Sequence, residues 1–115
     1  MGELDPLQEL ARARALRAYL RTVGDTVRLQ ILRRLALNDE MSVTELAQGL
    51  RISQPLLSWH LGVLRRIDIV SARREGRLMH YSLNLAVLRT LNEQFAAWIG
   101  DTVETGEARE GEESA

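Results

Sequence analysis

The stretch from Ser42 to Leu83, SVTELAQGLRISQPLLSWHLGVLRRIDIVSARREGRLMHYSL, leaves this chain the least conformational freedom. Ser42 stands three residues before Glu45. In this S-x-x-E spacing each side chain can accept from the other residue's free backbone N–H, which opens a helix. Leu46, Ala47 and Leu50 form its apolar stripe, and Arg51-Ile52 provides a turn. Ser53 is a second N-cap, with Pro55 in the first helical turn, where its missing N–H costs nothing. Leu57, Leu61 and Leu64 recur at i, i+4 and i+7, so one face of this second helix is predicted to be buried. The other face carries Gln54, Ser58 and Trp59, with His60 at its edge.

Two strands are predicted next, near Ile69–Arg74 and Arg77–Leu83. They flank Glu75-Gly76, a two-residue turn in which glycine supplies the positive φ that a tight hairpin needs. Arg73, Arg74 and Arg77 gather at its tip. A Gln and a Ser near a helix N-terminus can bond base edges once that end enters a major groove. Guanidiniums beside such a helix suit the phosphate backbone or the minor groove. A solvated polar face would explain the helix alone equally well, but the basic hairpin shifts the reading to a winged helix-turn-helix.

The string S-Q-P-x-x-S-x-H-L over Ser53–Leu61, then Leu64-Arg65, then R-R-x-G-R-x-x-x-Y-x-L from Arg73 to Leu83, resembles the ArsR/SmtB family of bacterial repressors. G-D-x-x-R-L-x-I-L-x-x-L from Gly24 to Leu35 is similar to that family's preceding helix. The resemblance spans roughly Val23 to Ala97. The fold class expected is mainly α with a small β-hairpin (α+β), with about five helices and a two-stranded wing. In the resembling family the terminal helices pack into a two-fold dimer.

The remaining elements are read from caps and periodicity. Asp5 caps a first helix to about Leu20, with Pro6 at its first position and Leu7, Leu10, Ala11, Leu16 and Leu20 as packing residues. A second helix starts at Asp25 or Thr26. Val27, Ile31, Leu32 and Leu35 point inward, Arg28, Arg33 and Arg34 outward, and Asn38-Asp39-Glu40 closes it. Asn84 caps a final helix from about Leu85 to Asp101, whose apolar face holds Leu88, Leu91, Phe95, Trp98 and Ile99. Residues 1–4 are expected to be disordered, 5–102 to form one DNA-binding and dimerisation domain, and 103–115 to be an acidic disordered tail.

With 115 residues and 45% hydrophobic content, one small core can be built, adequate but not generous. No run of about 18 apolar residues marks a membrane span, and no charged-then-apolar N-terminus marks secretion. Cysteine is absent, which excludes disulfides, thiolate metal sites and thiol redox sensing together. A cytoplasmic protein is expected. The net charge of −1 conceals a strong asymmetry. Residues 10–90 hold 14 Arg against six acids, a balance of +8, whereas residues 1–9 carry −3 and residues 91–115 carry −6. A basic body between acidic ends fits DNA binding. All 15 basic residues are Arg. Arginine gives bidentate phosphate and guanine contacts, although a GC-rich genome produces the same bias and is the weightier cause.

The expected partner is double-stranded DNA carrying an inverted repeat. Gln54 and Ser58 are the base-contact residues, Trp59 packs on a thymine methyl or a sugar, and Pro55 and Leu56 touch the groove wall. Arg73, Arg74 and Arg77 hold the wing to the backbone, with Arg51 a weaker phosphate contact and Val43 a backbone contact. His60 is a packing residue or a phosphate contact. The terminal helices carry more apolar surface than a small winged unit can bury, which suggests a partner. The two-fold dimer that the resemblance implies would use Leu7, Leu10, Leu88, Leu91, Phe95 and Trp98; the plainer alternative is that they only cover the monomer's core.

The resemblance also implies where metal ligands would stand. One family site uses cysteines where this chain reads Met41-Ser42-Val43-Thr44-Glu45. A second falls on Leu85, Val87, Trp98 and Asp101, of which only the last can bind a metal. No metal or cofactor is therefore expected, and the effector is left open: an organic ligand between the terminal helices, a partner protein, or none. Trp59 stands where relatives often have Arg or His, and Asp68 where many have Gly. An enzyme is not expected: no Gly-rich phosphate loop, nucleophile constellation or paired carboxylates stand in the sequence. The rival reading is a winged module for protein–protein contact, which would not need Gln54, Ser58 and three Arg on one surface.

Overall fold

Four helices and a small sheet close around six side chains that are essentially inaccessible: Ile31, Leu46, Leu57, Leu61, Leu64 and Ile69. A computed structural model describes residues 5–103. The order is α1 (Pro6–Val23), α2 (Thr26–Leu37), β1 (Met41–Ser42), α3 (Val43–Leu50), α4 (Gln54–Arg66), β2 (Val70–Glu75), β3 (Leu78–Leu83) and α5 (Leu85–Val103). The expectations for residues 1–4 and for the tail beyond residue 103 lie outside the described residues.

The caps lie where local chemistry puts them. Asp25 accepts from the Arg28 N–H at 3.0 Å and starts α2. At α3 the reciprocal pair is complete: Ser42 Oγ accepts from Glu45 N–H at 3.1 Å, and Glu45 Oε1 accepts from Ser42 N–H at 2.8 Å. Ser53 Oγ accepts from Leu56 N–H at 3.2 Å and opens α4. Each such cap contributes about 0.5–2 kcal/mol to the helix it starts. Arg51 ends α3 in the left-handed region at φ 60°, and Asp68 takes φ 61° just after α4. Asp and its relatives tolerate that region better than most residues, which explains how α4 can end without a glycine.

Three expectations are corrected in detail. Asp5 precedes α1 but its side chain makes no capping bond, and α1 continues to Val23 rather than Leu20. Asn84 does not cap α5 with its side chain. Its amide donates to the Asp68 carbonyl at 2.7 Å and its Oδ1 accepts from Ser71 Oγ at 2.8 Å, so it ties the sheet to the end of α4. The hairpin turns at Gly76-Arg77, because Glu75 pairs with Leu78. Gly76 keeps the positive φ, at 65°, but stands first in the turn rather than second.

The wing also gains a strand. β1 pairs antiparallel with β3, Met41 opposite Tyr81 and Ser42 opposite His80, giving the order β1-β3-β2. This short strand anchors the hairpin to the start of α3, so the wing and the helix-turn-helix share one backbone framework. Tyr19 of α1 is buried as well, and its hydroxyl donates to Asn92 Oδ1 of α5, joining the two terminal helices.

Candidate nucleic-acid interface

The two faces of α4 are separated cleanly. Leu57, Leu61 and Leu64 are fully buried, whereas Gln54, Pro55, Leu56, Ser58 and Trp59 are exposed. Pro55 and the Ser53 cap leave the first turn of α4 pointing outward with its backbone N–H groups largely satisfied. Gln54 Nε2 lies 3.4 Å from Thr44 Oγ1, a long contact that leaves the amide available to another partner. Trp59 is 58% exposed, an uncommon setting for an indole in a small domain. It packs edge-on against His60, with ring centroids 5.0 Å apart.

His60 is not on this surface. It is 5% exposed and its Nδ1 faces the Arg28 guanidinium at 3.0 Å, so of the two roles expected for it the packing role fits its burial, and a phosphate contact does not. Val43 is partly buried against the core. Arg51 is exposed at the C-terminal end of α3.

The wing arginines do not act alike. Successive strand residues face opposite sides of a sheet, so Arg73 and Arg74 point apart. Arg73 grips Glu40 with two bonds of 2.7 and 2.8 Å and reaches Glu75 at 3.1 Å. Arg74 and Arg77 are exposed and make no ion pair among the described residues. The fork-on-carboxylate geometry is the strong form of this contact. It draws the wing to the loop between α2 and β1, and the three-arginine tip of the sequence reading reduces to two free cations plus one already engaged.

The Arg73 hydrogen bond holds the Glu40 carboxyl below the usual Glu range. Asp25 is likewise held below the usual Asp range, chiefly by the Arg28 backbone N–H and then by the charge of Arg28. Both groups are depressed in the folded state, so their contribution is present above the unfolded carboxylate values, about 4. It is lost as pH falls through the lower folded values. The thermal midpoint followed by circular dichroism is therefore expected to be level from about pH 7 to 5 and to drop below about pH 4. Asp25→Asn and Glu40→Gln are each expected to lower the midpoint at neutral pH and to flatten part of the acid decline.

Arg28 overturns the outward placement expected for it. It is 9% exposed, and it lies on the line 28, 31, 32, 35, the spacing of the inward stripe itself. The periodicity held this signal, and residue type masked it. Tyr19 was missed in the same way: it follows Leu16 by three residues on α1. The terminal-helix residues divide as well. Leu7 and Leu10 are exposed, Leu88 and Leu91 lean on the chain's own core, and Phe95 and Trp98 are half-buried. Among the described residues no group of three His, Asp or Glu side chains could hold a metal ion, and no helix is long and apolar enough to cross a membrane.

A helix presented beside a three-stranded wing defines a DNA-binding protein of the winged helix-turn-helix class. A family model described as a helix-turn-helix domain matches residues 23–71. The transcriptional repressor SdpR of Bacillus subtilis is 35% identical over 69 residues, which cover 60% of this chain and 76% of that protein. The transcriptional activator HlyU of Vibrio cholerae is 38% identical over 89 residues, covering 76% of this chain and 81% of that one. The crystal structure of NolR from Sinorhizobium fredii superposes with a TM-score of 0.67 at 33% identity, covering 81% of this chain and 92% of its own. The chain belongs to the ArsR family of winged-helix transcriptional regulators. It is a regulator and not an enzyme.

Proposed function

We propose that the protein is a cytoplasmic, dimeric repressor that reads an inverted-repeat operator through α4 and steadies itself with the wing. The observation that carries this reading is the division of α4: three leucines lock one face into the core while Gln54, Ser58 and Trp59 are offered on the other. Gln54 and Ser58 contact base edges, Trp59 meets a thymine methyl or a sugar, and Pro55 and Leu56 lie against the groove wall. Arg74 and Arg77 hold phosphates, with Arg51 and Val43 as secondary backbone contacts and Arg73 contributing when it leaves Glu40.

The dimer is supported by apolar side chains left uncovered on the terminal helices: Leu7 is 75% exposed, and Leu10, Leu85 and Ile99 each more than 40%. A monomer of this size has little reason to expose so many on two adjacent helices. Leu7, Leu10, Phe95 and Trp98 form the seam, and Leu88 and Leu91 support it from beneath. The negative sign of regulation follows the name of SdpR; HlyU, named an activator, uses the same fold, so the sign depends on where the operator lies. Without cysteine, the effector is not a thiolate-bound metal.

The test is fluorescence anisotropy with the duplex upstream of the protein's own gene against random duplex of equal length, at several salt concentrations. Specific binding is expected to exceed non-specific by at least about a thousandfold. With 6–10 phosphate contacts it should fall by about 10³–10⁵ between 50 and 200 mM salt. Equal, weak binding to both duplexes would count against an operator at that position. Equal binding across a randomised pool as well would remove the sequence-specific reading.

A further inference from the structure

Arg28 bridges parts of the chain that do different work. Its Nε donates to the Thr22 carbonyl at 2.6 Å, and one terminal amino group reaches the Arg21 carbonyl at 3.5 Å, both in the last turn of α1. The other terminal amino group meets His60 Nδ1, in the middle of α4, at 3.0 Å. The guanidinium carbon also sits 5.8 Å from the centre of the Trp59 ring. Asp25 completes the cluster: its Oδ1 accepts from the Arg28 backbone at 3.0 Å and lies 3.9 Å from the same His60 nitrogen.

We infer that Arg28 is the positioning residue that fixes α4 relative to the terminal helix α1, and so sets the half-site spacing a dimer accepts. The inference rests on the dimer reading above. A guanidinium is planar and presents its donors in a fixed fork, so bonds to both helices restrict their mutual rotation as well as their distance. Apolar packing holds α1 through few side chains: it buries only Leu16 and Tyr19 among its 18 residues, with Val23 partly buried against the core. The strut is also shielded: Arg28 and His60 are both buried, where an unmet hydrogen bond is costly and the geometry is correspondingly well determined. α1 belongs to the dimer seam and α4 to the groove. The Arg28–His60 bond thus carries the seam's position to the two recognition helices, and its Trp59 contact lies on the reading face itself.

Spacing is a sensitive readout, because moving one half-site by two base pairs shifts it about 7 Å along the duplex and turns it about 70° around the axis. A half-site sequence is first selected from a pool of random duplexes. Dissociation constants are then measured on duplexes carrying two inverted copies whose centres lie about 8–13 base pairs apart. The wild-type protein is expected to prefer one spacing over those two base pairs away by about tenfold or more. Arg28→Met, which keeps the aliphatic stem, and His60→Phe, which keeps the ring and leaves Arg28 on the α1 carbonyls, are each expected to compress that preference to about threefold or less. The double variant should be no worse than either single one, because both cut the same link.

His60→Phe keeps the experiment decisive if Arg28→Met fails to fold. A uniform loss of affinity at every spacing, with the wild-type preference retained, would overturn the inference and leave Arg28 a stabilising residue only. A wild-type protein that shows no spacing preference and sediments as a monomer would overturn the dimer reading, and this inference with it.

Discussion

Leu61→Ala is expected to destabilise the domain by about 2–5 kcal/mol, against a total of about 5–15 kcal/mol for a protein of this kind. Leu61 is fully buried and belongs to the core cluster formed by α2, α3, α4 and the sheet together with Tyr19 of α1. Truncation removes its transfer free energy and leaves a cavity that helices capped at fixed points cannot close. At about 4–8 °C per kcal/mol for a domain near this size, the thermal midpoint should fall on the order of 10–30 °C. Leu56→Ala supplies the contrast. It lies on the same helix but 43% exposed, so its effect on stability should stay within about 0.5 kcal/mol. Melting curves of the two variants by circular dichroism check the pair. Similar losses at both positions would mean that the reading face of α4 is packed in solution, which would remove the basis for placing DNA there.

The contrast also shows what the sequence could reveal. Much that is decided between near neighbours was legible: the reciprocal cap of Ser42 and Glu45, the Ser53 cap, and the 57, 61, 64 stripe, because these contacts are made along one helix. Asp5 is the exception, preceding α1 without a capping bond. Contacts between residues far apart in the chain were not. Arg73 and Glu40 are separated by 33 positions and Tyr19 and Asn92 by 73, and no local pattern distinguishes an arginine with a distant carboxylate from one in solvent. β1 has two residues, too few for an alternation to register. The hairpin slipped by one because Gly76 can supply its positive φ from either turn position, and only the pairing of Glu75 with Leu78 decides between them. Arg28 is a different case. Its position on the inward stripe was visible, but an arginine is seldom buried unless its charge is met. What meets it, two α1 carbonyls and an imidazole from α4, exists only once the helices are packed.

Arg74→Ala combined with Arg77→Ala is expected to weaken DNA binding by at least about tenfold, since each charge-assisted hydrogen bond lost is worth about 1.5–3 kcal/mol before compensation. The loss should be nearly the same on operator and random duplex, because phosphate contacts carry no base information. The slope of log affinity against log salt should shrink by about 0.9 for each phosphate contact removed. Gln54→Ala with Ser58→Ala should do the reverse, keeping the salt slope and reducing discrimination by about 1–3 kcal/mol at each base pair they read. Arg73→Ala separates the wing arginines from one another. Its guanidinium already holds Glu40 with two short bonds, so DNA must displace a carboxylate before using it. The net loss of affinity on truncation should therefore be smaller than for Arg74 or Arg77. Glu40→Gln should act in the opposite direction, freeing Arg73 and steepening the salt slope. Titrations at four salt concentrations on one operator and one random duplex measure all of these. If Arg73→Ala costs as much as Arg74→Ala or Arg77→Ala alone, and Glu40→Gln leaves the salt slope unchanged, then Glu40 does not compete with phosphate for Arg73.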